Sequence, residues 1–273
     1  MTPLHLVLLT FAVVCAACWI LSLVTNEHSW VDRMWSITPV IYLFEFARGA
    51  HFHNVRLNVM AIIVFAWGAR LTFNFARKGG YSGEEDYRWP VLRASMKKWQ
   101  FQLFNIFFIV LYQNFLLVLI SLPALTAYEH QSLGFNGWDF VLVVIFILFL
   151  IGETISDQQQ WNFQENKKKL IAAGGTPSYR FLTTGLFKFS RHPNYFFEIS
   201  QWWILYLIGA NAAGHLFRRT LFGPVLLAIL FIGSTNFTEK ISLGKYPEYS
   251  DYQKSTSAII PWAAKRRLRK EIA

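Results

Sequence analysis

The chain has 273 residues, of which 54% are hydrophobic, 18% aromatic and only 15% charged. A soluble domain carries about a quarter charged residues, so this balance excludes an ordinary soluble enzyme and points to an all-α polytopic membrane protein. The formal charge of +10 does not read as nucleic-acid binding. The basic residues sit in loops and in the tail Lys265-Arg266-Arg267-Leu268-Arg269-Lys270, which is a membrane-topology pattern.

Apolar runs of about 20 residues are long enough to cross a bilayer as helices. They predict about seven spans, at 3–24, 35–50, 56–77, 101–125, 138–158, 195–213 and 220–238. The first lacks a basic leader and a cleavage site, so it reads as a span rather than a signal peptide. Cys15 and Cys18 share one of its helical faces and read as packing residues. The second span is short and contains Pro39, which predicts a broken or half-buried helix. Pro123, Pro224 and Gly68 are tolerable within spans because neighbouring helices satisfy the freed backbone groups. The loop after the third span carries Lys78, Arg88, Arg93, Lys97 and Lys98. The loop after the fifth carries Lys167, Lys168, Lys169, Arg180, Lys188 and Arg191. With seven spans these loops and the basic tail share one side, so the C-terminus is cytoplasmic and the N-terminus outside. Arg48, Arg56, Arg218 and Arg219 fall on the other side. His51 and His53 lie there too, without a third ligand nearby, so no metal site is expected.

Three polar stripes end up at the cytoplasmic face. Arg70, Asn74 and Arg77 close the third span. Glu153, Asp157 and Gln160 close the fifth, and Gln164 continues the series. Asn194, Glu198 and Gln201 open the sixth. Spacing i, i+4, i+7 puts each set on one helical face, and lipid cannot satisfy such groups. They serve either as a packing network or as a cytoplasm-facing pocket for a charged ligand. In the second case Arg70, Arg77, Lys78, Lys167 and Arg191 would meet phosphates, and Glu153, Asp157 and Asn194 would hold hydroxyls or amides. The densest stretch is Arg191-His192-Pro193-Asn194-Tyr195 with Glu198. Its proline starts a helix whose free N–H groups make an anion site. Glu239 and the tail tyrosines Tyr246, Tyr249 and Tyr252 form a further wall, as interfacial anchors or as nucleotide contacts. The loop holding Tyr81, Glu84, Glu85, Asp86, Tyr87 and Arg88 is a lid or a solvated connector.

The C-terminal half resembles the steroid 5α-reductase-like membrane enzymes, which are related more distantly to sterol C14-reductases. The matching pieces are Glu153-Thr154-Ile155-Ser156-Asp157-Gln158-Gln159, Gly185 through Tyr195 with Glu198, and Lys245-Tyr246-Pro247-Glu248-Tyr249-Ser250-Asp251-Tyr252 ending at Ile260-Pro261-Trp262. Weaker matches are Val31–Ser36 and Trp67–Thr72. Membrane isoprenylcysteine methyltransferases also carry an Arg-His-Pro-x-Tyr signature. The resemblance implies a single membrane domain over 1–273, with substrate-side helices in 1–130, a cofactor-binding region in 138–262 and a basic tail in 263–273. It implies NADPH-dependent reduction of a carbon–carbon double bond conjugated to a ketone, in a lipophilic, steroid- or isoprenoid-like substrate. The cofactor would be held by Arg70, Asn74, Arg77, Lys78, Tyr87, Arg88, Glu153, Asp157, Arg191, His192, Asn194, Tyr195, Glu198, Glu239, Tyr246, Tyr249 and Tyr252. Asp32, in its neutral form, and Trp67 would hold the substrate ketone; the alternative for Asp32 is an ion pair with Arg33. Two positions depart from the family. Phe197 replaces a glycine, which would narrow the cofactor's approach, and Trp67 replaces a tyrosine. Methyl transfer from S-adenosylmethionine and a non-enzymatic role remain the alternatives. The expected partners are a lipophilic small molecule and membrane lipid, with no protein partner. The expected location is a bacterial inner membrane, or an endoplasmic-reticulum membrane with the same topology logic.

Overall fold

The computed structural model describes residues 1–83, 85–177 and 180–263. Glu84 and the basic run 265–270 lie outside the described residues. Helix α1 (Pro3–Thr25) begins where sequence chemistry places it: Pro3 sits in the first turn, and the Thr2 hydroxyl accepts from the His5 N–H at 3.3 Å. Two short helices follow, α2 (Trp30–Trp35) and α3 (Thr38–Gly49). Asn54 caps α4 (Val55–Arg77), accepting from the Leu57 N–H at 3.1 Å. Next come α5 (Arg88–Ala94), α6 (Lys98–Phe104), a π-helical segment (Asn105–Tyr112), α7 (Gln113–Ser121) and α8 (Pro123–Glu129). The C-terminal half holds α9 (Gly137–Ala172), α10 (Pro193–Ala213), α11 (Phe222–Lys245) and α12 (Tyr249–Ser255). Among the described residues the extended pairing is an isolated parallel bridge between Ser190 and Ser257.

Five helical stretches are long and apolar enough to cross a membrane: Pro3–Thr25, Val55–Arg77, Lys98–Glu129, Gly137–Ala172 and Arg219–Lys245. This is consistent with a multi-pass membrane protein. The other two expected spans behave differently. Helix α3 has 12 residues, about 18 Å at 1.5 Å per residue, well short of a hydrocarbon core of about 30 Å. Helix α10 has 21 residues, but its Glu, Gln, Trp and Tyr side chains make it less apolar, and most of it is buried.

The chain forms two compact units. The first comprises Met1–Phe146 with Trp202–Leu227, and the second Ile147–Gln201 with Ala228–Ala273. In the first, Val14, Cys15 and Cys18 of α1 pack with Val31, Trp89, Phe101, Ile109 and Val110, so the cysteines are packing residues as read. At the end of the π-helical segment the Val110 carbonyl, which accepts from the Gln113 N–H, also accepts from Asn114 Nδ2 at 2.8 Å and Cys15 Sγ at 3.9 Å. Helix α4 abuts the α2–α3 corner at Gly68, where a Cβ would stand 2.6 Å from both the Ser36 carbonyl oxygen and Val40 Cγ2. Arg56 is fully buried in this unit. It makes a bidentate pair with Asp139 at 3.0 and 2.7 Å and donates to the carbonyls of Leu133 and Gly134.

Candidate functional site

The second unit collects most of the expected binding residues. On α9, Glu153, Ser156 and Asp157 are buried while Thr154 and Ile155 are exposed, the one-sided pattern that the stripe predicted. Glu198 and Gln201 are buried on α10, and Thr235 and Glu239 on α11. Asn194 is half-buried in the first turn of α10. The Gln201 amide donates to Glu153 Oε2 at 2.7 Å and to the Phe197 carbonyl at 3.2 Å. That orientation leaves Gln201 Oε1 a buried acceptor with no partner among the described residues, and the hydroxyls of Thr235 and Thr238 are likewise buried without a partner among them. An orphaned buried polar group costs about 1–3 kcal/mol and is uncommon in folded proteins. Three such groups lie on α10 and α11 of one unit. Thr235 and Thr238 escaped the sequence reading, although Thr235, Thr238, Glu239 and Ser242 repeat the i, i+3, i+4, i+7 spacing that exposed the other stripes.

Arg191, His192 and Glu239 form a clasp on the tail. The Arg191 guanidinium donates to both Glu239 oxygens at 2.6 and 2.9 Å, and to the carbonyls of Gln253 (3.0 Å) and Thr256. His192 Nε2 lies 3.0 Å from Glu239 Oε1, and the Gln253 amide donates to Oε2 at 2.6 Å. Backbone pairing completes it: the N–H groups of Arg191 and His192 donate to the Ser257 and Ala258 carbonyls at 2.8 and 3.0 Å, and Trp262 N–H donates to the Phe189 carbonyl at 2.9 Å. The expected role of Arg191 as a phosphate contact therefore gives way to that of an internal crosslink, and part of the helix-start anion site is taken by the tail. Tyr195 stacks on His192 (5.2 Å) and sets its edge on Phe231 (4.7 Å). Tyr249 and Tyr252 are buried against Phe181, at 5.0 and 5.6 Å between ring centroids. Burial holds both phenols above the ordinary range, and the Tyr252 hydroxyl donates to the Phe187 carbonyl. Tyr246 accepts from Lys167 Nζ at 3.3 Å. The Phe197 ring lies over Gly152, where a Cβ would come within 2.5 Å of it.

In the first unit, Asn74 is buried and accepts from Arg77 Nε and Nη2 at 2.9 and 2.7 Å, Arg70 is half-buried, and Lys78 is exposed. Tyr81 and residues 85–86 are docked onto the α1–α2 corner. The Asp86 N–H donates to the Ser29 hydroxyl at 2.8 Å, the His28 N–H to Glu85 at 3.0 Å, and the Tyr81 hydroxyl to the Arg33 carbonyl at 3.1 Å. Tyr87 is exposed, and Arg88 binds Asp86 at 2.8 Å. Asp32 joins this network. Its carboxylate accepts from the Trp89 indole at 2.9 Å and stands 3.9 Å from Arg88. Burial raises it from 3.8 to about 6, against the lowering effect of Arg88. The Trp89 and Arg88 contacts tie Asp32 to the segment that follows α4. It is not paired with Arg33, which binds Glu27 and the Gly80 carbonyl. Trp67 is elsewhere in the unit. It is fully buried, its indole N–H has no partner, and its ring meets Trp202 edge-on at 4.8 Å.

No solved structure matches this chain. An uncharacterized protein of Schizosaccharomyces pombe is 37% identical over 258 residues, which cover 89% of this chain and 75% of that protein. Methanethiol S-methyltransferase 1 of Bradyrhizobium diazoefficiens is 30% identical over 132 residues, covering 48% of this chain and 41% of that enzyme. A family described as protein of unknown function (DUF1295) matches residues 18–256, and the chain belongs to that family.

Proposed function

We propose that the chain is an NADPH-dependent membrane reductase that saturates a carbon–carbon double bond conjugated to a ketone in a lipophilic, steroid- or isoprenoid-like substrate. The observation that carries this reading is the orphaned set in the second unit. A nicotinamide carboxamide offers an N–H to Gln201 Oε1 and a carbonyl to the Thr235 or Thr238 hydroxyl. The buried side chains of Glu153, Asp157 and Glu198 would accept from the carboxamide N–H and from ribose hydroxyls. The Arg191–Glu239 clasp would fix the start of α10 and so position Asn194 and Glu198.

Bound NADPH would supply a hydride to the β-carbon of the enone. The double-bond electrons then move toward the carbonyl oxygen, where the Trp67 N–H would donate as negative charge develops, an oxyanion-type contact of the sort usually worth about 3 kcal/mol. A proton taken up from water at the α-carbon would complete the addition, leaving the oxidised nicotinamide and hydroxide. The orientation that accompanies this reading has the N-terminus outside and the C-terminus cytoplasmic, with α3 as a half-buried crossing and α10 as a polar one, in a bacterial inner membrane.

A second reading is methyl transfer from S-adenosylmethionine. It is favoured by the methyltransferase of Bradyrhizobium diazoefficiens that matches half of the chain. Its ammonium would replace the carboxamide N–H at Gln201. Turnover with isotopically labelled cofactors separates the two. Purified protein is given an isoprenoid enone with NADPH carrying deuterium at C4, and a thiol with methyl-labelled S-adenosylmethionine. Deuterium at the product β-carbon supports reduction. Labelled methyl on the thiol without deuterium transfer overturns it.

A further inference from the structure

We infer that Trp202 is a second donor to the substrate carbonyl, so that one neutral oxygen is held between two indole N–H groups, from Trp67 on α4 and Trp202 on α10. The inference rests on the reading of Trp67 as a carbonyl donor, and adds to it a residue and a substrate class. Trp67 is 0% and Trp202 2% exposed. Indole nitrogen is a donor only, and buried tryptophans normally find an acceptor for it. Among the described residues neither Trp67 Nε1 nor Trp202 Nε1 has one. The two rings lie 4.8 Å apart at 79°, so each fixes the other's orientation, and the donors sit on rigid helices rather than on flexible side chains.

The chemistry selects the ligand. Two N–H dipoles without a formal charge suit a carbonyl, which is neutral when it binds and gains charge only as the reaction proceeds. One helical turn away on the same two helices stand buried Ile63, Val64 and Leu205, so the surroundings of the two donors are apolar and suit a lipophilic ketone. A thiol is a poor match, because sulfur is a weak acceptor.

The test uses full-length protein and the isoprenoid enone β-ionone, with its deoxygenated hydrocarbon as the control, in equilibrium dialysis without cofactor. Trp67→Phe and Trp202→Phe each keep an aromatic ring and remove the N–H. Each should weaken β-ionone binding about tenfold, as for one lost hydrogen bond to a buried acceptor, and leave the hydrocarbon within about twofold. The double variant should lose less than the product of the two singles, because both donors serve one oxygen. The unmutated protein gives an independent readout. Of its 11 tryptophans, two indole N–H resonances should shift when β-ionone is added and stay in place with the hydrocarbon. Equal weakening of both ligands, an unchanged ketone affinity in Trp202→Phe, or resonances that ignore β-ionone would each overturn the inference. These outcomes are independent of NADPH: loss of the reductase reading would show as absent cofactor binding with the ketone effects intact.

Discussion

Glu239→Gln is the substitution that most directly probes how the start of α10 is held. Glu239 is buried and receives two charge-assisted bonds from Arg191 at 2.6 and 2.9 Å, with His192 at 3.0 Å and the Gln253 amide at 2.6 Å. The glutamine keeps shape and one acceptor but leaves the Arg191 charge uncompensated. Removing one partner of a buried pair costs about 3–5 kcal/mol, and the retained acceptor places this change near 3. The loss should be local, because the same guanidinium bonds the Gln253 and Thr256 carbonyls and the adjacent backbone holds Ser257 and Ala258. Limited trypsin digestion should therefore cut at Lys254 in the variant well before the parent, with a matching drop in unfolding midpoint. Arg191→Met combined with Glu239→Leu should cost less than either single change, since no buried charge is left alone. A variant within about 1 kcal/mol of the parent whose tail resists trypsin would refute the clasp, and so would a double variant whose losses simply add.

Three further outcomes follow from the same geometry. Asp32 favours its protonated form in the folded state, so its own contribution to folding stability should be complete below pH 3.8 and fall by about 3 kcal/mol as pH rises to about 6, on top of the opposite trend from Glu239. Asp32→Asn should remove that decline in pH-dependent unfolding, and a variant that keeps the slope contradicts the assignment. Thr235→Val removes an orphaned hydroxyl and should stabilise the ligand-free protein by about 1 kcal/mol while weakening NADPH binding severalfold; loss of stability with unchanged affinity would count against a ligand-facing hydroxyl. Gly68→Ala drives a methyl to 2.6 Å from the Ser36 carbonyl oxygen and should lower thermal stability by about 1–3 kcal/mol, with no effect expected if α4 and the α2–α3 corner are loosely packed.

Much of this architecture is legible from one-dimensional pattern. Apolar length marks α1, α4, α9 and α11, which the structure shows as helices long and apolar enough to cross a membrane, and the polar face Glu153–Asp157 is buried as its spacing requires. Pattern is weaker where tertiary contacts decide. Pro39 flags the second expected span as unusual, but only the fold reduces it to the 12-residue α3 behind a separate α2. Nothing in Asn105–Tyr112 distinguishes a π-helical segment from an ordinary apolar helix. The partner of a charge is least legible of all. Arg191 reads as a ligand contact until Glu239, 48 residues away, is found across from it, and Asp32 gives no sign in sequence of the Trp89 indole found on it. The small hydroxyls of Thr235 and Thr238 are nearly silent in sequence because threonine is common in apolar helices, and only their burial without partners gives them meaning.

Equilibrium titration of the purified, full-length protein with NADPH and, separately, with S-adenosylmethionine tests the central claim most directly. The account predicts saturable NADPH binding that Gln201→Leu weakens at least tenfold, with S-adenosylmethionine binding much more weakly. Saturable binding of S-adenosylmethionine with none of NADPH, or binding of neither, would contradict it.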